Sequence, residues 1–137
     1  MVQRYLHKPY LIDGLKFDMR IYVLLYGVDP LRIFVFKEGL ARFATEKYSS
    51  PIKGNMDNLF MHLTNYAINK NSDKFEANED ENEGDCGSKR TVSSVLKQIE
   101  EMHPNKTAES IWGQIEDIAV KTLISAAPHL CHSFRSI

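Results

Sequence analysis

Three charged residues alternate along one short segment of the chain. Lys16, Asp18 and Arg20 occupy every second position of KFDMR. If this segment is a strand, side chains two residues apart project from one face, so two cations would flank one carboxylate. Such a set can bind a polyphosphate. It also fits an exposed strand face with weak cross-strand ion pairs, and spacing leaves both interpretations open.

Two further segments carry polar residues that could bind a ligand. Arg42 lies in GLARF, where its planar guanidinium could hold a carboxylate through two hydrogen bonds or simply remain a solvated edge residue. The segment from His62 to Tyr66, HLTNY, contains threonine and asparagine. Their side chains can bind sugar hydroxyls or phosphates, but they also form ordinary turns and caps.

Sites with strict spacing requirements are missing from the sequence. There is no Walker-type loop, no GxGxxG and no GxSxG. His129 and His132 flank Cys131, but a zinc site needs about four ligands and no second cluster follows. With Cys86 the chain has only two cysteines, which cannot form a disulfide framework. Any nucleotide chemistry here therefore uses a different architecture.

Composition indicates one globular domain or part of one. The chain has 137 residues, 43% of them hydrophobic, and a net charge of -1. This charge excludes a strongly basic nucleic-acid binder as a description of the whole chain. Nucleic-acid binding would also need exposed aromatic residues, whereas Phe17, Ile33 and Phe36 are interpreted as core residues. No apolar run approaches the roughly 20 residues of a membrane helix, and the start lacks a signal peptide. We therefore expect a cytoplasmic location, with neither nucleic acid nor membrane as a partner.

The near-zero net charge hides a segregation of charge. Residues 73–85 contain seven acids and one base, and the rest of the chain contains sixteen bases and eleven acids. A like-charge run with few apolar residues cannot offset its ordering entropy by burial. We predict an acidic mobile loop over Asn71–Ser88, while its screening of a basic face remains an alternative. The basic remainder would suit an acidic substrate.

The pattern before this loop predicts an antiparallel meander. Alternation over Phe17–Tyr26 predicts a strand, and Leu31–Lys37 is β-branched and aromatic, which favours another. A tight turn at Glu38-Gly39 and a third strand over Leu40–Ala44 are expected to follow. Gln3–Leu6 is predicted as a further short strand.

The pattern after the loop is helical. Apolar residues over Val92–Met102 recur at helical spacing and predict a helix capped by Thr91. A second helix is expected to begin at a cap on Asn105 or Thr107 and to end at Pro128. Strands followed by helices indicate an α+β fold.

In combination, these segments resemble a known family. The run from Gln3 to Tyr48 contains KFDxR and EGLxRFAT, and HLTNYxINK follows in the same order. They are similar to the tubulin tyrosine ligase-like family, above all its polyglutamylase branch, which adds glutamates to tubulin tails. GSKR and IEDIAVKTLISAAP agree in character, so the resemblance spans nearly the whole chain. It implies that residues 1–137 form a partial ATP-grasp domain, a fold in which ATP lies between two α+β lobes.

The resemblance also implies roles for individual residues. Arg20 would be the catalytic residue that faces the phosphates and the reacting carboxylate. The residues implied to bind ATP are Gln3, Arg4, Tyr5, Leu6, Lys16, Phe17, Asp18, Thr64 and Asn65. Those implied to bind glutamate are Arg42, Tyr66, Ala67 and Lys89, with Ala67 contributing its backbone.

The family's chemistry explains these residue types. Such ligases use ATP and Mg²⁺ to convert a carboxylate of the protein substrate into an acyl phosphate, which the amine of free glutamate attacks. Cations stabilise the charge on the transferring phosphoryl group and bind the carboxylates of the amino acid. The implied partners are free glutamate and the acidic tubulin tails. We expect a monomer on microtubules of the cytoskeleton, in cilia or basal bodies.

Two parts of the family pattern are missing. One is an upstream lysine with a glycine-containing phosphate loop, and the other is a downstream segment of the type DxxLKPWLLEVN that holds Mg²⁺. We therefore expect a central fragment of the ligase domain, inactive on its own and without metal ligands. The alternative is a catalytically inactive truncated form that keeps only a tubulin-binding or nucleotide-binding surface.

Overall fold

The computed structural model describes residues 2–77 and 87–135, and it has an α+β architecture. Within these residues, four strands form one sheet in the order β1-β2-β3-β4. The elements are β1 (Leu11–Ile12), β2 (Leu15–Val28), β3 (Leu31–Lys47), α1 (Leu59–His62), α2 (Tyr66–Asn69), β4 (Lys89–Thr91), α3 (Val92–Met102) and α4 (Ala108–Arg135). The chain divides into a first unit, residues 1–20 and 40–91, and a second unit, residues 21–39 and 92–137.

In the first unit, tight antiparallel pairing begins at a two-residue turn. Asp13 and Gly14 both have positive φ, 54° and 75°, which suits a turn that matches the twist of its flanking strands. The turn pairs Leu11 of β1, which precedes it, with Lys16 of β2, which follows it. The predicted strand at Gln3–Leu6 is wrong, because that segment has no ladder partner in the described part of the chain.

The core of the first unit is built largely from β3. Its buried apolar residues are Ile12, Ala41, Phe43, Ala44 and Met61. The short β4 pairs antiparallel with the end of β3 that carries Leu40 and Arg42. Neither β4 nor the one-turn helices α1 and α2 were predicted, because segments of three or four residues give no usable periodicity.

The predicted turn at Glu38-Gly39 is wrong, because β3 runs through it without interruption. The Glu38 carboxylate accepts hydrogen bonds from the Gly39 N–H, at 2.8 Å, and from the Ser93 N–H, at 3.1 Å. It also accepts one from the Ser93 hydroxyl, at 2.5 Å. Burial raises the pKa of Glu38, but these hydrogen bonds and one from the Val92 N–H outweigh it and lower the pKa below 4.5. Glu38 thus serves as an acceptor at the start of α3.

The helices of the second unit follow the predicted pattern with one correction. Helix α3 has the predicted bounds, and its core residues are Val92, Val95, Leu96 and Ile99. Thr107 caps α4, since its hydroxyl accepts from the Ser110 N–H at 3.2 Å.

The expected end of α4 at Pro128 is wrong. The helix continues to Arg135 with the proline inside it. A proline within a helix removes one hydrogen bond and costs about 3 kcal/mol, so other contacts must hold the last turns. One such contact is the thiol of Cys131, which donates to the Val28 carbonyl at 3.5 Å.

The second unit also exposes apolar side chains on β2 and β3. Phe36 is 63% exposed, so its assignment to the core is wrong. The other exposed residues of these strand segments include Tyr22, Leu24, Tyr26 and Phe34. Within residues 2–77 and 87–135, none of the helices combines the length and apolar character needed to cross a membrane.

The predicted acidic loop is described only at its two ends. Residues 78–86, including Cys86, lie outside the described residues. The Ser88 N–H donates to the Glu76 carbonyl at 3.1 Å, and the Glu76 N–H donates to the Ser88 hydroxyl at 3.2 Å. The Ser88 carbonyl in turn accepts from the Phe43 N–H at 3.0 Å. Ser88 is therefore part of the packed structure, and the acidic mobile loop stays a prediction.

Candidate functional site

The N-terminal segment lines an open cavity of about 930 Å³ in the first unit. Ligand pockets typically measure about 300–1,000 Å³, so this volume could hold a molecule the size of a nucleotide. The residues lining it are Gln3, Arg4, Tyr5, Leu6, His7, Lys8, Pro9, Tyr10 and Lys16. The structure thus brings together five of the residues implied to bind ATP, Gln3–Leu6 and Lys16, although they are not consecutive in sequence.

Lys16 is held at this cavity by two hydrogen bonds. Its ammonium donates to the Tyr5 hydroxyl at 3.2 Å and to the His62 carbonyl at 2.8 Å. The ammonium also lies 4.8 Å from the centre of the Tyr5 ring, within cation–π distance. These contacts restrain a long and flexible side chain, and they leave one ammonium hydrogen for a further acceptor.

Asp18 and Arg42 form a bidentate ion pair in the first unit. Arg42 Nε donates to Oδ1 at 3.1 Å, and Nη2 donates to Oδ2 at 2.5 Å. The hydrogen bond that Arg42 donates to Asp18 raises the pKa of Arg42, so its guanidinium stays charged. Family resemblance implies different ligands for these two residues, yet the structure pairs them. The guanidinium edge formed by Nη1 and the second Nη2 hydrogen is not used by Asp18.

Arg42 and Lys89 are direct cross-strand neighbours. The register of β3 and β4 pairs Arg42 with Lys89, so their side chains share one face of the sheet. The Lys89 ammonium lies 3.8 Å from the centre of the Tyr66 ring. Three of the four residues implied to bind glutamate therefore lie close together, and we call Arg42, Tyr66 and Lys89 the glutamate cluster.

The turn that carries Thr64 and Asn65 is held by a buried asparagine. Asn69 is 1% exposed, and its amide donates to the carbonyls of Leu63, at 2.8 Å, and Asn65, at 3.2 Å. Its carbonyl oxygen accepts from the N–H and the hydroxyl of Thr45, at 3.0 and 2.9 Å. The whole hydrogen-bonding capacity of Asn69 thus attaches this turn to β3.

The other implied site residues differ in the contacts that they make with the rest of the first unit. Phe17 stacks on Phe43 with ring centres 5.3 Å apart, which makes it part of the packing of the first unit. Arg20 is exposed, and within residues 2–77 and 87–135 it forms no ion pair. The Ala67 carbonyl accepts from the Asn71 amide at 3.1 Å.

Sequence reasoning missed two residues that organise this region, His62 and Asn69. Both are buried polar side chains, with 6% and 1% exposure. Both lie in HLTNYAIN, where the only available signal was a concentration of polar residues around two short helices. Each bonds a residue far away in sequence, His62 to Tyr5 and Asn69 to Thr45, and no local pattern could have identified these contacts.

The described residues supply no metal-binding set. Across residues 2–77 and 87–135, no group of three or more histidine, cysteine, aspartate or glutamate residues could hold a metal ion. Mg²⁺ needs oxygen ligands at octahedral geometry. No complete set of magnesium ligands therefore lies among the described residues, and the expectation of magnesium ligands elsewhere stays a prediction.

Comparison with known proteins identifies the family. A model of the tubulin-tyrosine ligase family matches residues 1–136. The chain is 52% identical to a probable beta-tubulin polyglutamylase of Tetrahymena thermophila, over 99% of this chain and 11% of that protein. It is also 52% identical to human tubulin polyglutamylase TTLL13, over 98% of this chain and 16% of the relative. For mouse tubulin polyglutamylase TTLL7, the identity is 44% over 98% of this chain and 14% of the relative.

The chain belongs to the tubulin-tyrosine ligase family, which confirms the resemblance. It spans only about a tenth to a sixth of the length of the curated relatives that it matches.

Proposed function

We propose that this chain forms part of an ATP-dependent ligase that adds glutamate to glutamate side chains of tubulin tails. The observation that carries this proposal is the pairing of Arg42 with Lys89 on one face of the sheet, beside Tyr66. The names of the relatives support the reaction, since those reported above are called tubulin polyglutamylases.

Two neighbouring cations are unfavourable unless something negative lies between or beside them. Like charges directly opposite each other destabilise a pair of strands. Asp18 offsets the charge of Arg42, and the Tyr66 ring faces the ammonium of Lys89. Glutamate brings two carboxylates, so the glutamate cluster has the charge and donor geometry to bind it. Arg42 would use the guanidinium edge that Asp18 leaves available.

The cavity next to Lys16 is the proposed ATP site. Its volume is sufficient, its lining includes Tyr5 and Leu6 for an aromatic base, and Lys16 supplies a cation for phosphate oxygens. Thr64 and Asn65 lie two and three residues after His62, whose carbonyl holds Lys16. We assign them to the same ligand. In the ATP-grasp fold that we propose, a second lobe would cover this site.

The reaction would proceed in two steps. A side-chain carboxylate of the tubulin tail attacks the γ-phosphorus of ATP, which forms an acyl phosphate and releases ADP. The amino group of free glutamate then attacks the acyl carbon, loses a proton and displaces phosphate to form the new amide bond. Arg20 is exposed on β2, two residues beyond Asp18, and would face the phosphates and the reacting carboxylate.

The proposal includes the partners and location that the family implies. Acidic tubulin tails would be attracted by the basic charge outside residues 73–85. Magnesium would be bound by residues outside those described. We propose a monomeric enzyme associated with the microtubule cytoskeleton, in cilia or basal bodies.

The direct test measures incorporation of labelled glutamate into tubulin by the full-length protein that contains this segment. Incorporation should require ATP and should disappear when the tubulin lacks its acidic C-terminal tails. Arg20→Ala should lower the rate by at least about 100-fold, because an electrostatic stabiliser of phosphoryl transfer is lost. Arg32→Ala changes another exposed arginine, on β3 in the second unit, and should leave the rate unchanged.

The opposite result would be a protein that binds ATP and tubulin but incorporates no glutamate. It would favour the alternative of an inactive binding surface.

A further inference from the structure

We infer that His62 is a positioning residue that fixes the ammonium of Lys16 at the proposed ATP site, acting through the Tyr5 hydroxyl. The inference rests on the proposed function only in assigning Lys16 to ATP. Its basis is a chain of hydrogen bonds with a defined direction, ending on a backbone carbonyl. We call Lys16, Tyr5, His62 and the Asn55 carbonyl the Lys16 network.

The proton positions in the Lys16 network follow from its end groups. His62 Nε2 lies 3.1 Å from the Asn55 carbonyl oxygen, which can only accept, so Nε2 carries a hydrogen. The Lys16 ammonium can only donate, so the Tyr5 oxygen accepts from it. The Tyr5 hydroxyl hydrogen is then available for His62 Nδ1, 2.9 Å away, which serves as the acceptor. A neutral His62 with its hydrogen on Nε2 satisfies every member.

The His62 ring is held too firmly to adjust. His62 is 6% exposed, and its ring stands nearly perpendicular to those of Tyr5 and Tyr48, at 83° and 89°. The ring centres are 5.7 and 5.8 Å apart, in the range for edge-to-face contacts. A buried ring with both nitrogens bonded fixes the position of the Tyr5 hydroxyl.

His62 restrains Lys16 in two ways. Its backbone carbonyl accepts directly from the ammonium, and its ring fixes the second acceptor, Tyr5. A free lysine must give up many rotamers when it binds a phosphate, and this entropy cost weakens binding. Restraining Lys16 before ATP arrives removes that cost. The benefit should therefore appear in the apparent affinity for ATP and not in that for glutamate.

The experiment compares steady-state kinetics of variants of the full-length protein that contains this segment. Tyr5→Phe keeps the ring and removes the hydroxyl. His62→Gln keeps a donor near the Nε2 position but loses the acceptor, whereas His62→Asn keeps an acceptor near the Nδ1 position. Tyr22→Phe is the matched control, because Tyr22 is an exposed tyrosine of the second unit.

We expect Tyr5→Phe and His62→Gln to raise KM for ATP by about 3- to 10-fold, as expected for losing the restraint on one long side chain. KM for glutamate should stay within about twofold of the wild-type value. His62→Asn should recover most of the affinity for ATP, and Tyr22→Phe should match the wild type. A purely structural defect would instead lower kcat and affect both substrates.

A second comparison separates an effect through Lys16 from a direct contact between Tyr5 and the nucleotide. In a Lys16→Ala background, Tyr5→Phe should have no further effect on KM for ATP, because the group that it positions is gone. Additive effects of the two substitutions would overturn the inference.

The outcomes also separate this inference from the proposed function. If Lys16→Ala raises KM for ATP but Tyr5→Phe and His62→Gln leave it unchanged, the inference is wrong and the ATP site stands. If Lys16→Ala itself has no effect, the assignment of Lys16 to ATP fails, and the inference fails with it. Tyr5 is only partly buried, so Tyr5→Phe remains informative even if the His62 variants do not fold.

Discussion

The contacts inside the first unit differ in kind from those inside the second unit. In the first unit, buried polar side chains such as His62 and Asn69 connect segments far apart in sequence through hydrogen bonds. In the second unit, α3 buries an apolar stripe that includes Val95 and Leu96. Hydrogen bonds have direction, whereas apolar burial does not. A unit built on directed bonds can fix charged groups in place, and all the proposed ligand-binding residues lie in the first unit.

The sharpest way to test this contrast is to remove a buried polar group from the first unit. Asn69→Leu would leave two donors on Thr45 and the Leu63 carbonyl without this partner, whereas the Asn65 carbonyl would keep the backbone N–H groups of Ile68 and Asn69. We expect a loss of about 3 kcal/mol in local stability, because each buried group left unsatisfied costs roughly 1–3 kcal/mol. Hydrogen exchange of residues 59–70 in the full-length protein measures this loss.

Asn71→Leu provides the control for that measurement. Asn71 is exposed and its side chain makes one hydrogen bond, to the Ala67 carbonyl, so the loss of this bond should cost less than about 0.5 kcal/mol. If residues 59–70 were equally protected from hydrogen exchange in the two variants, the turn would be held by apolar packing. The hydrogen bonds of Asn69 would then not be what holds it.

A smaller effect is expected where the second unit does use a polar group. Glu38→Gln removes the charge that accepts hydrogen bonds at the start of α3, which should cost about 1 kcal/mol at about pH 7, as for a helix cap. The pKa of Glu38 is lowered in the folded state, so its stabilising contribution is fully present above the ordinary value of 4.5. It disappears as the pH falls through the lowered pKa.

The measurement for Glu38 is hydrogen exchange of residues 92–102 in wild type and variant at matched pH. The difference in protection should be largest near neutral pH and should shrink as the pH falls below 4.5 through the lowered pKa of Glu38. A difference that grows on acidification would mean that the carboxylate destabilises α3.

The same contrast explains how much could be predicted from the sequence. Helix α3 was predicted with its observed bounds, because a helical period is a local property. The turn predicted at Glu38-Gly39 was wrong, because the partner that keeps Glu38 in the strand, Ser93, lies 55 residues later. Pro128 was expected to end α4, but contacts such as that of Cys131 with Val28 accompany its continuation.

The candidate site shows the same limit. Family resemblance named Asp18 for ATP and Arg42 for glutamate, but it could not reveal that the two residues form an ion pair 24 positions apart. Nor could it reveal that β4 places Lys89 opposite Arg42, because a three-residue strand has no periodicity. Residue types were accessible from the sequence, and their mutual geometry was not.

The most direct test of the central claim is the effect of Arg42→Ala on the use of glutamate and ATP by the full-length protein. Losing a charge-assisted contact should cost about 1.5–3 kcal/mol, which corresponds to a rise of roughly 10- to 150-fold in KM for glutamate. KM for ATP should change by less than about threefold, and Arg32→Ala should change neither constant. An unchanged KM for glutamate together with a large rise in KM for ATP would contradict the assignment of the glutamate cluster.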